Sequence, residues 1–338
     1  MTYLRMRRFV ALAGAALLAG GALAACGSSD DDASSDSAAF SFKDDLGVQI
    51  DLDAMPERLI VQSSMAAALT DLGLGDKIVG VFGPLRNADG DADSQVKGLD
   101  IESVEDLTGE GEYGDVSVED AATLKPDLIV TSSYLGDDLW YINDKTATDL
   151  KNLAPILTVS FDGETLPGML DATERAAEAL GADLDADDVT AAHDDFEAAG
   201  DRVKEASEAL GDRTVLAGSA STDTFYVSNP AVSPDLKYWV DELGVPITIP
   251  DNPDEGGYFE SLSWENADKY PADVFLWDDR IGTAGLDLMK KQPVFATLAA
   301  AKNDAFIPWT SVFPPSYAAV ADTLDTLADD LEGYAPTS

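Results

Sequence analysis

Arg86 and Arg280 each stand just past an apolar run, in Val81-Phe82-Gly83-Pro84-Leu85-Arg86 and Trp277-Asp278-Asp279-Arg280. A guanidinium in that position can grip an anionic oxygen through paired N–H groups, because its donors form a planar fork. Each Arg also has a plainer option, an ion pair with a nearby Asp, and Asp279 offers this to Arg280. Large aromatic residues recur at equivalent points: Tyr134, Trp140, Phe225, Tyr226, Trp277, Trp309 and Phe313, with Tyr258 and Phe259 in a Gly-rich stretch. Any one of them reads as core. Their repetition after successive strand-like runs points to rigid walls for a bulky amphipathic ligand with a few polar anchors. The expected ligand-binding set is Ser63, Arg86, Tyr134, Trp140, Phe225, Tyr226, Trp277, Arg280 and Trp309.

Other chemistry is poorly supplied. His193 is the only histidine and lies in the polar helical stretch 191–197. One imidazole cannot build a multi-histidine zinc site, and it has no evident nucleophile to activate. Neither a G-x-S-x-G elbow nor a Gly-Lys-Ser/Thr phosphate loop occurs. Gly109-Glu110-Gly111-Glu112-Tyr113-Gly114 matches the dinucleotide fingerprint by letter only. No apolar strand precedes it, and Glu110 and Glu112 would repel a pyrophosphate. Asp89, Asp91 and Asp93 alternate like the start of a calcium loop, yet the sixth position is Ser94 and the twelfth Asp100. A solvated loop is the better reading.

Cys26 is the only thiol, and it closes the run Leu23-Ala24-Ala25-Cys26 behind Arg5, Arg7, Arg8 and an apolar stretch from Phe9. This order resembles the lipobox of bacterial lipoproteins, in which the cysteine sulfur is acylated and becomes the new N-terminus; the alternative is an ordinary signal peptide with a chance cysteine. Residues 27–39 are Ser, Asp, Ala and Gly and read as a solvated tether. With the thiol acylated, disulfides and Cys-based metal sites are excluded. The expected location is outside the cytoplasmic membrane, held by lipid to its outer face. The formal charge of -43 disfavours nucleic acid and anionic lipid surfaces as partners, because phosphate binding needs a basic footprint.

These side chains need a scaffold, and the rest of this 338-residue chain suggests one. Strand-like runs occupy 58–63, 77–81, 127–132, 155–160, 214–219, 224–228, 245–249, 273–277 and 305–309. Several are continuously apolar, as in strands covered on both faces of a parallel sheet. Helical patterns fill 64–72, 117–124, 138–153, 233–243, 263–270, 293–301 and 316–331, and several end at Gly. From 166 to 210 the pattern is helical with no strand. Leu170, Thr173, Ala177 and Leu180 share one face, and Phe196, Val203 and Leu210 recur at sevens. The expected organisation is a signal peptide at 1–25, a tether at 26–42, an N-terminal α/β lobe at 43–165, a connecting helix at 166–190 and a C-terminal α/β lobe at 191–338. The fold class is α/β, with two Rossmann-like lobes of mainly parallel sheet.

Several segments in order carry a family resemblance. They include Pro56-Glu57-Arg58-Leu59-Ile60-Val61, Asp76-Lys77-Ile78-Val79-Gly80-Val81 and Leu153-Ala154-Pro155-Ile156. The most specific is Val118-Glu119-Asp120-Ala121-Ala122-Thr123-Leu124-Lys125-Pro126-Asp127-Leu128-Ile129-Val130. Leu262-Ser263-Trp264-Glu265-Asn266, Tyr270-Pro271-Ala272-Asp273 and Pro293-Val294-Phe295 follow. Together they resemble the substrate-binding lipoproteins of iron-siderophore and cobalamin ABC importers. The resemblance implies two lobes joined by a single long helix, a ligand held between them without catalysis or a resident cofactor, and a monomer that docks on a membrane permease. Glu119 and Glu265 match the family's permease-docking positions. The transported ligand is then a ferric siderophore. The scarcity of basic residues favours a neutral or cationic hydroxamate over an anionic catecholate, with cobalamin open. The stretch 87–114 departs from the family as an apparent insertion. An exported α/β hydrolase and a sensor or adhesion lipoprotein are the competing readings.

Overall fold

The structure is a computed structural model that describes residues 39–336 apart from 88–89, 110 and 112. Residues 1–25, Cys26, most of the tether, Asp89, Glu110 and Glu112 lie outside the described residues. The chain opens on an antiparallel hairpin, β1 (Phe40–Lys43) and β2 (Gln49–Leu52). Phe40 is 3% exposed, so ordered structure begins inside the stretch assigned to the tether. Asp44 fixes the hairpin: its Oδ1 accepts from Val48 N (2.7 Å) and its Oδ2 from Thr158 N (3.2 Å).

The first lobe follows as β3 (Leu59–Gln62), α1 (Ser63–Asp71), β4 (Ile78–Phe82), β5 (Glu105–Asp106), α2 (Val118–Leu124), β6 (Leu128–Ser133), α3 (Asp144–Leu150) and β7 (Ile156–Ser160). Its five strands lie in the order β5-β4-β3-β6-β7, all parallel. Every residue of β3 and β6 is buried, as a doubly covered parallel strand requires.

Two helices then cross to the second lobe, α4 (Leu166–Ala179) and α5 (Asp187–Ala209). The expected connecting stretch 166–190 therefore holds α4, a turn and the start of α5. The break has a local cause: Gly181 at φ 100° turns the chain after Leu180. The remaining helix is 23 residues long, about 35 Å of stiff rod, and the boundary drawn at 190 falls inside it. Lys77 Nζ donates to Leu180 O (3.1 Å), tying the end of α4 to the first lobe.

The second lobe contains β8 (Val215–Ala220), β9 (Thr224–Ser228), α6 (Pro234–Asp241), β10 (Phe259–Ser263), β11 (Val274–Asp278), α7 (Gly282–Lys290), α8 (Ala299–Lys302), β12 (Phe306–Trp309) and α9 (Tyr317–Gly333). Its order is β10-β9-β8-β11-β12; β8, β11 and β12 are parallel, while β9 runs against both neighbours. The reversal follows from the short link between β8 and β9, which admits a hairpin but no crossover. Alternate residues of the strands feed different cores. Leu59, Val61, Val215, Ala217, Val274 and Leu276 join α1, α4, α5 and α9 in one core shared by both sheets. Ile60, Phe82 and Ile129 face the outer side of the first lobe, and Leu216, Phe225 and Phe275 the outer side of the second. Phe196, Val203 and Leu210 are buried as their spacing predicts.

Several expected elements are shorter. The stretch 138–153 is helical only as α3, because Tyr141 sits at φ 57° and Asn143 starts the helix anew by accepting from Thr146 N (2.9 Å). The stretch 263–270 forms only a 3-10 turn, Trp264–Asn266. At 245–249 the sequence gives one bridge, Val215↔Ile247, since Pro246 has no N–H for a ladder.

Candidate functional site

The site is built where strands of both sheets end. β3 passes directly into α1, and Gln62 caps that helix: its Oε1 accepts from Met65 N (3.2 Å) and Ser64 Oγ (2.8 Å), and its Nε2 donates to Ser63 Oγ (2.9 Å). Gln62, Ser63 and Ser64 are all fully buried, so Ser63 forms floor and not surface. Gly83, after β4, lies at φ 92°, and a Cβ there would stand 2.9 Å from Ser63 Oγ and 3.3 Å from the Tyr141 ring. Gly83→Ala is therefore expected to lower stability by about 1–3 kcal/mol, because the backbone conformation and the space both disfavour a side chain. Urea denaturation checks this; a wild-type midpoint would refute the close approach.

After β6 the chain doubles back over its own strand end. Trp140 N donates to Ser132 O (2.9 Å) and Thr131 Oγ1 donates to Trp140 O (2.9 Å). The left-handed Tyr141 completes the reversal, and its N donates to Tyr113 Oη (3.3 Å). Four rings meet as a result. Tyr134 and Trp140 are 4.8 Å apart between centroids, Trp140 and Tyr141 5.3 Å, and Tyr113 and Tyr141 5.0 Å. Phe161, after β7, backs Tyr134 at 5.3 Å. Trp140 Nε1 is buried with no hydrogen-bond partner among the described residues.

The second lobe faces this cluster with charge. Asp278 ends β11 with its side chain buried and clamps Arg280 by two routes, Nε to Oδ1 (2.9 Å) and Nη2 to Oδ2 (2.6 Å). Ser311 Oγ donates to the same Oδ1 (2.9 Å). The Arg280 side chain keeps 38% of its surface exposed. Burial pushes the hydroxyls of Tyr113, Tyr134 and Tyr141 above the usual phenol range, while the Arg280 charge pulls all three the other way. The guanidinium thus lies within electrostatic reach of all three rings. Tyr258 Oη donates across the gap to Tyr134 O (3.3 Å).

Two more carboxyls lie close by. Burial raises Asp279 above the ordinary range, against a hydrogen bond from Thr310 Oγ1 (2.8 Å), with the charge of Asp278 adding to the rise. Asp235, on the first turn of α6, accepts from Trp309 Nε1 (2.7 Å), and burial pushes it up to about 6.

The structure thus brings together Ser63, Tyr134, Trp140 and Arg280 from the expected set and separates the rest. Arg280 pairs with Asp278, not with Asp279 as its sequence position suggests. Arg86 is exposed and pairs with Glu102, with Nη1 on Gly90 O (3.1 Å), so its charge is spent on its own loop. Phe225 is fully buried against Trp264, Phe275 and Phe295 and has no face left for a ligand. Trp277 packs against the same outer core. Tyr226 is half-buried beside Phe259, on the opposite face of β9 from Phe225. Trp309 is buried and acts through Asp235. Sequence reasoning missed Tyr113, Tyr141, Asp235 and Asp278. A signal existed for Tyr141 alone, next to Trp140, but the helical reading of 138–153 hid it.

Glu119 is exposed in the first turn of α2, and Glu265 is exposed in the 3-10 turn after β10. The backbone N–H of Glu265 and the Ser263 hydroxyl hold the Glu265 carboxyl below its ordinary range. The lone His193 stacks on Tyr317 (3.8 Å) and bonds Glu174 (2.7 Å) among α4, α5 and α9. It is not part of the aromatic site.

A family model described as periplasmic binding protein matches residues 60–312. Among solved structures, DesE, a ferric-siderophore receptor protein from Streptomyces coelicolor, is 38% identical with a TM-score of 0.78, covering 87% of this chain and 98% of that one. The petrobactin-binding protein YclQ from Bacillus subtilis is 17% identical with a TM-score of 0.66, covering 87% and 99%. FhuD2 from Staphylococcus aureus, solved with bound ferrioxamine B, is 19% identical with a TM-score of 0.58, covering 82% and 100%. The last two likenesses establish the fold alone. A comparison with curated protein sequences gives no match.

Proposed function

We propose that this chain, which belongs to the periplasmic binding protein family, is the solute-binding lipoprotein of an ABC importer and captures a ferric hydroxamate siderophore between its lobes. The family gives a solute-binding role outside the cytoplasm, and no described helix is long and apolar enough to cross a membrane. One observation carries the finer reading. The aromatic cluster of Tyr113, Tyr134, Trp140 and Tyr141 lies within electrostatic reach of Arg280, whose charge is already matched by Asp278, with Asp235 and Asp279 adding acid. Such a site suits a bulky, neutral or cationic chelate and opposes a triply anionic catecholate. The half-exposed guanidinium still has N–H groups to offer an oxygen of the ligand. A hydrolase finds no support here, since Ser63 is buried beside Gln62 and His193 lies elsewhere.

In this reading Cys26 is acylated and anchors the protein, and a monomer delivers its load through Glu119 and Glu265. The two lobes, with α4 and α5 crossing between them, frame the cleft. Titration of tryptophan fluorescence with a ferric trihydroxamate, a ferric tricatecholate and a corrinoid tests the ligand. Tight binding of the trihydroxamate, at least about tenfold stronger than the catecholate, is expected; tighter binding of the catecholate or the corrinoid overturns the assignment. The docking role has its own test. Glu119→Ala with Glu265→Ala is expected to cut cellular uptake of the iron chelate about tenfold or more while the affinity in solution stays unchanged, since each carboxylate meets only the permease. Unchanged uptake would remove both residues from docking.

A further inference from the structure

Tyr134 and Trp140 bracket an exposed loop. Of residues 135–139 between them none is buried, and Leu135, Gly136, Asp137 and Asp138 are exposed. Such a segment has little packing of its own to fix the rings at its ends. The loop is tied to β6, with Trp140 N donating to Ser132 O (2.9 Å) and Ser133 Oγ to Gly136 O (2.9 Å). Two further side chains hold its first turn. Asp162 Oδ2, after β7, accepts from Gly136 N (3.1 Å), and Tyr258 Oη, from the second lobe, donates to Tyr134 O (3.3 Å). Tyr258 stands on a firm base. Asn229, 5% exposed just after β9, donates from its backbone N to Tyr258 O (2.8 Å) and from Nδ2 to Gly257 O (2.8 Å), while its Oδ1 accepts from Ala231 N (3.1 Å). Gly257 lies at φ 78°, a turn that aims the next side chain toward the first lobe. Burial raises the Tyr258 hydroxyl above the usual phenol range and the charge of Asp162 adds to the rise, so the phenol remains a neutral donor.

We propose that Tyr258 is a positioning residue: from the second lobe it clamps the loop that carries Tyr134 and Trp140, and so sets the fraction of molecules whose rings stand ready for the ligand. The inference rests on the reading of the cleft as the ligand site. Two clamps act on the loop, Asp162 from its own lobe and Tyr258 from the other. Only the second depends on how the lobes meet, so the aromatic cluster is fully held only where both lobes contribute. A single half-buried hydrogen bond of this kind is a modest lever, about three- to tenfold in an equilibrium constant. Without it the competent fraction falls, and the apparent affinity falls by the same factor. The signature is kinetic. Fewer ready molecules lower the on-rate and leave the off-rate alone, whereas loss of a direct ligand contact appears in the off-rate.

Tyr258→Phe tests this, because it keeps the ring and removes the donor. In the ligand-free protein, hydrogen exchange at the amides of 135–139 is expected to run about three- to tenfold faster than in wild type, with α5 and α9 unchanged. Stopped-flow fluorescence with a ferric trihydroxamate is expected to give an on-rate about three- to tenfold lower and an off-rate within about twofold of wild type. Tyr334→Phe is the control. It deletes a similar hydroxyl–carbonyl contact, to Phe306 O (3.5 Å) at the end of α9, and is expected to change neither the loop nor the rates. Unchanged exchange at 135–139 in Tyr258→Phe overturns the proposal whether or not a chelate binds. Faster exchange with an unchanged on-rate overturns it too, and a raised off-rate alone would make Tyr258 a direct ligand contact instead. If the wild-type protein binds no chelate, the siderophore reading falls separately, and the exchange result still decides whether Tyr258 holds the loop.

Discussion

Trp140→Ala is expected to weaken binding of the ferric chelate by at least about 30-fold, the loss typical of an aromatic anchor at the centre of an interface. Trp140 lies between Tyr134 and Tyr141, so its removal takes one wall of the site and frees its neighbours to collapse into the gap. The fold is expected to survive, because the ring is only half-buried and stands at a loop. Fluorescence is a poor reporter once this tryptophan is gone, so isothermal titration is the better measurement. Trp140→Phe separates two roles of the side chain. It keeps a ring and deletes an N–H that has no acceptor among the described residues, and affinity within about threefold of wild type is expected if stacking is what matters. Arg86→Ala gives the contrasting case. Its guanidinium is held by Glu102 at the surface, so neither affinity nor stability is expected to move measurably. Normal binding by Trp140→Ala would show that the four-ring cluster is not the ligand wall.

The two sheets were legible in the sequence because their strands are short apolar runs between Gly-punctuated helices. A strand such as 128–133 cannot be covered on both faces without that composition. The weak strands were not legible. β5 is two exposed acidic residues whose pairing with β4 is set by the partner and not by propensity. The site followed the same division. Tyr134 and Trp140 could be placed because they follow a strong strand, and ligands of open α/β sheets gather at strand ends. Phe225 follows the same logic by number, yet lateral pairing turns it inward to a core that only the full sheet creates. Tyr113 sits in an acidic, Gly-rich loop with no periodic signal, and only the reversal at Tyr141 brings it to the cleft. The partner of Arg280 turned on a single step of geometry. A side chain two residues earlier on β11 points back to the guanidinium, while Asp279 turns to Thr310.

Asp235→Asn is expected to stabilise the protein at neutral pH and not in acid. The carboxyl is 4% exposed, and burial moves it up to about 6, although Trp309 and backbone N–H groups favour the charged form. In the unfolded chain it titrates near 4. Between those values the folded protein holds a proton that the unfolded chain has lost, so stability falls as pH rises from about 4 to about 6 and is level above. At pH 7.5 the buried charge costs the fold up to about 3 kcal/mol, which an amide does not carry. The amide oxygen can still accept from Trp309 Nε1, although its added N–H groups need partners and will reduce the gain. Urea denaturation at pH 4 and pH 7.5 reads this directly; equal effects at both values would place the carboxyl's titration elsewhere. A charge that costs stability calls for a use, and its position suggests one. The field of Asp235 reaches Tyr134 in the four-ring cluster and opposes the pull of Arg280 there. The same substitution is then expected to narrow the preference for a trihydroxamate over a tricatecholate by about three- to tenfold, because one of the acids that repels an anionic chelate is gone. A stability gain without any change in that preference would confine Asp235 to the packing of α6 against β12.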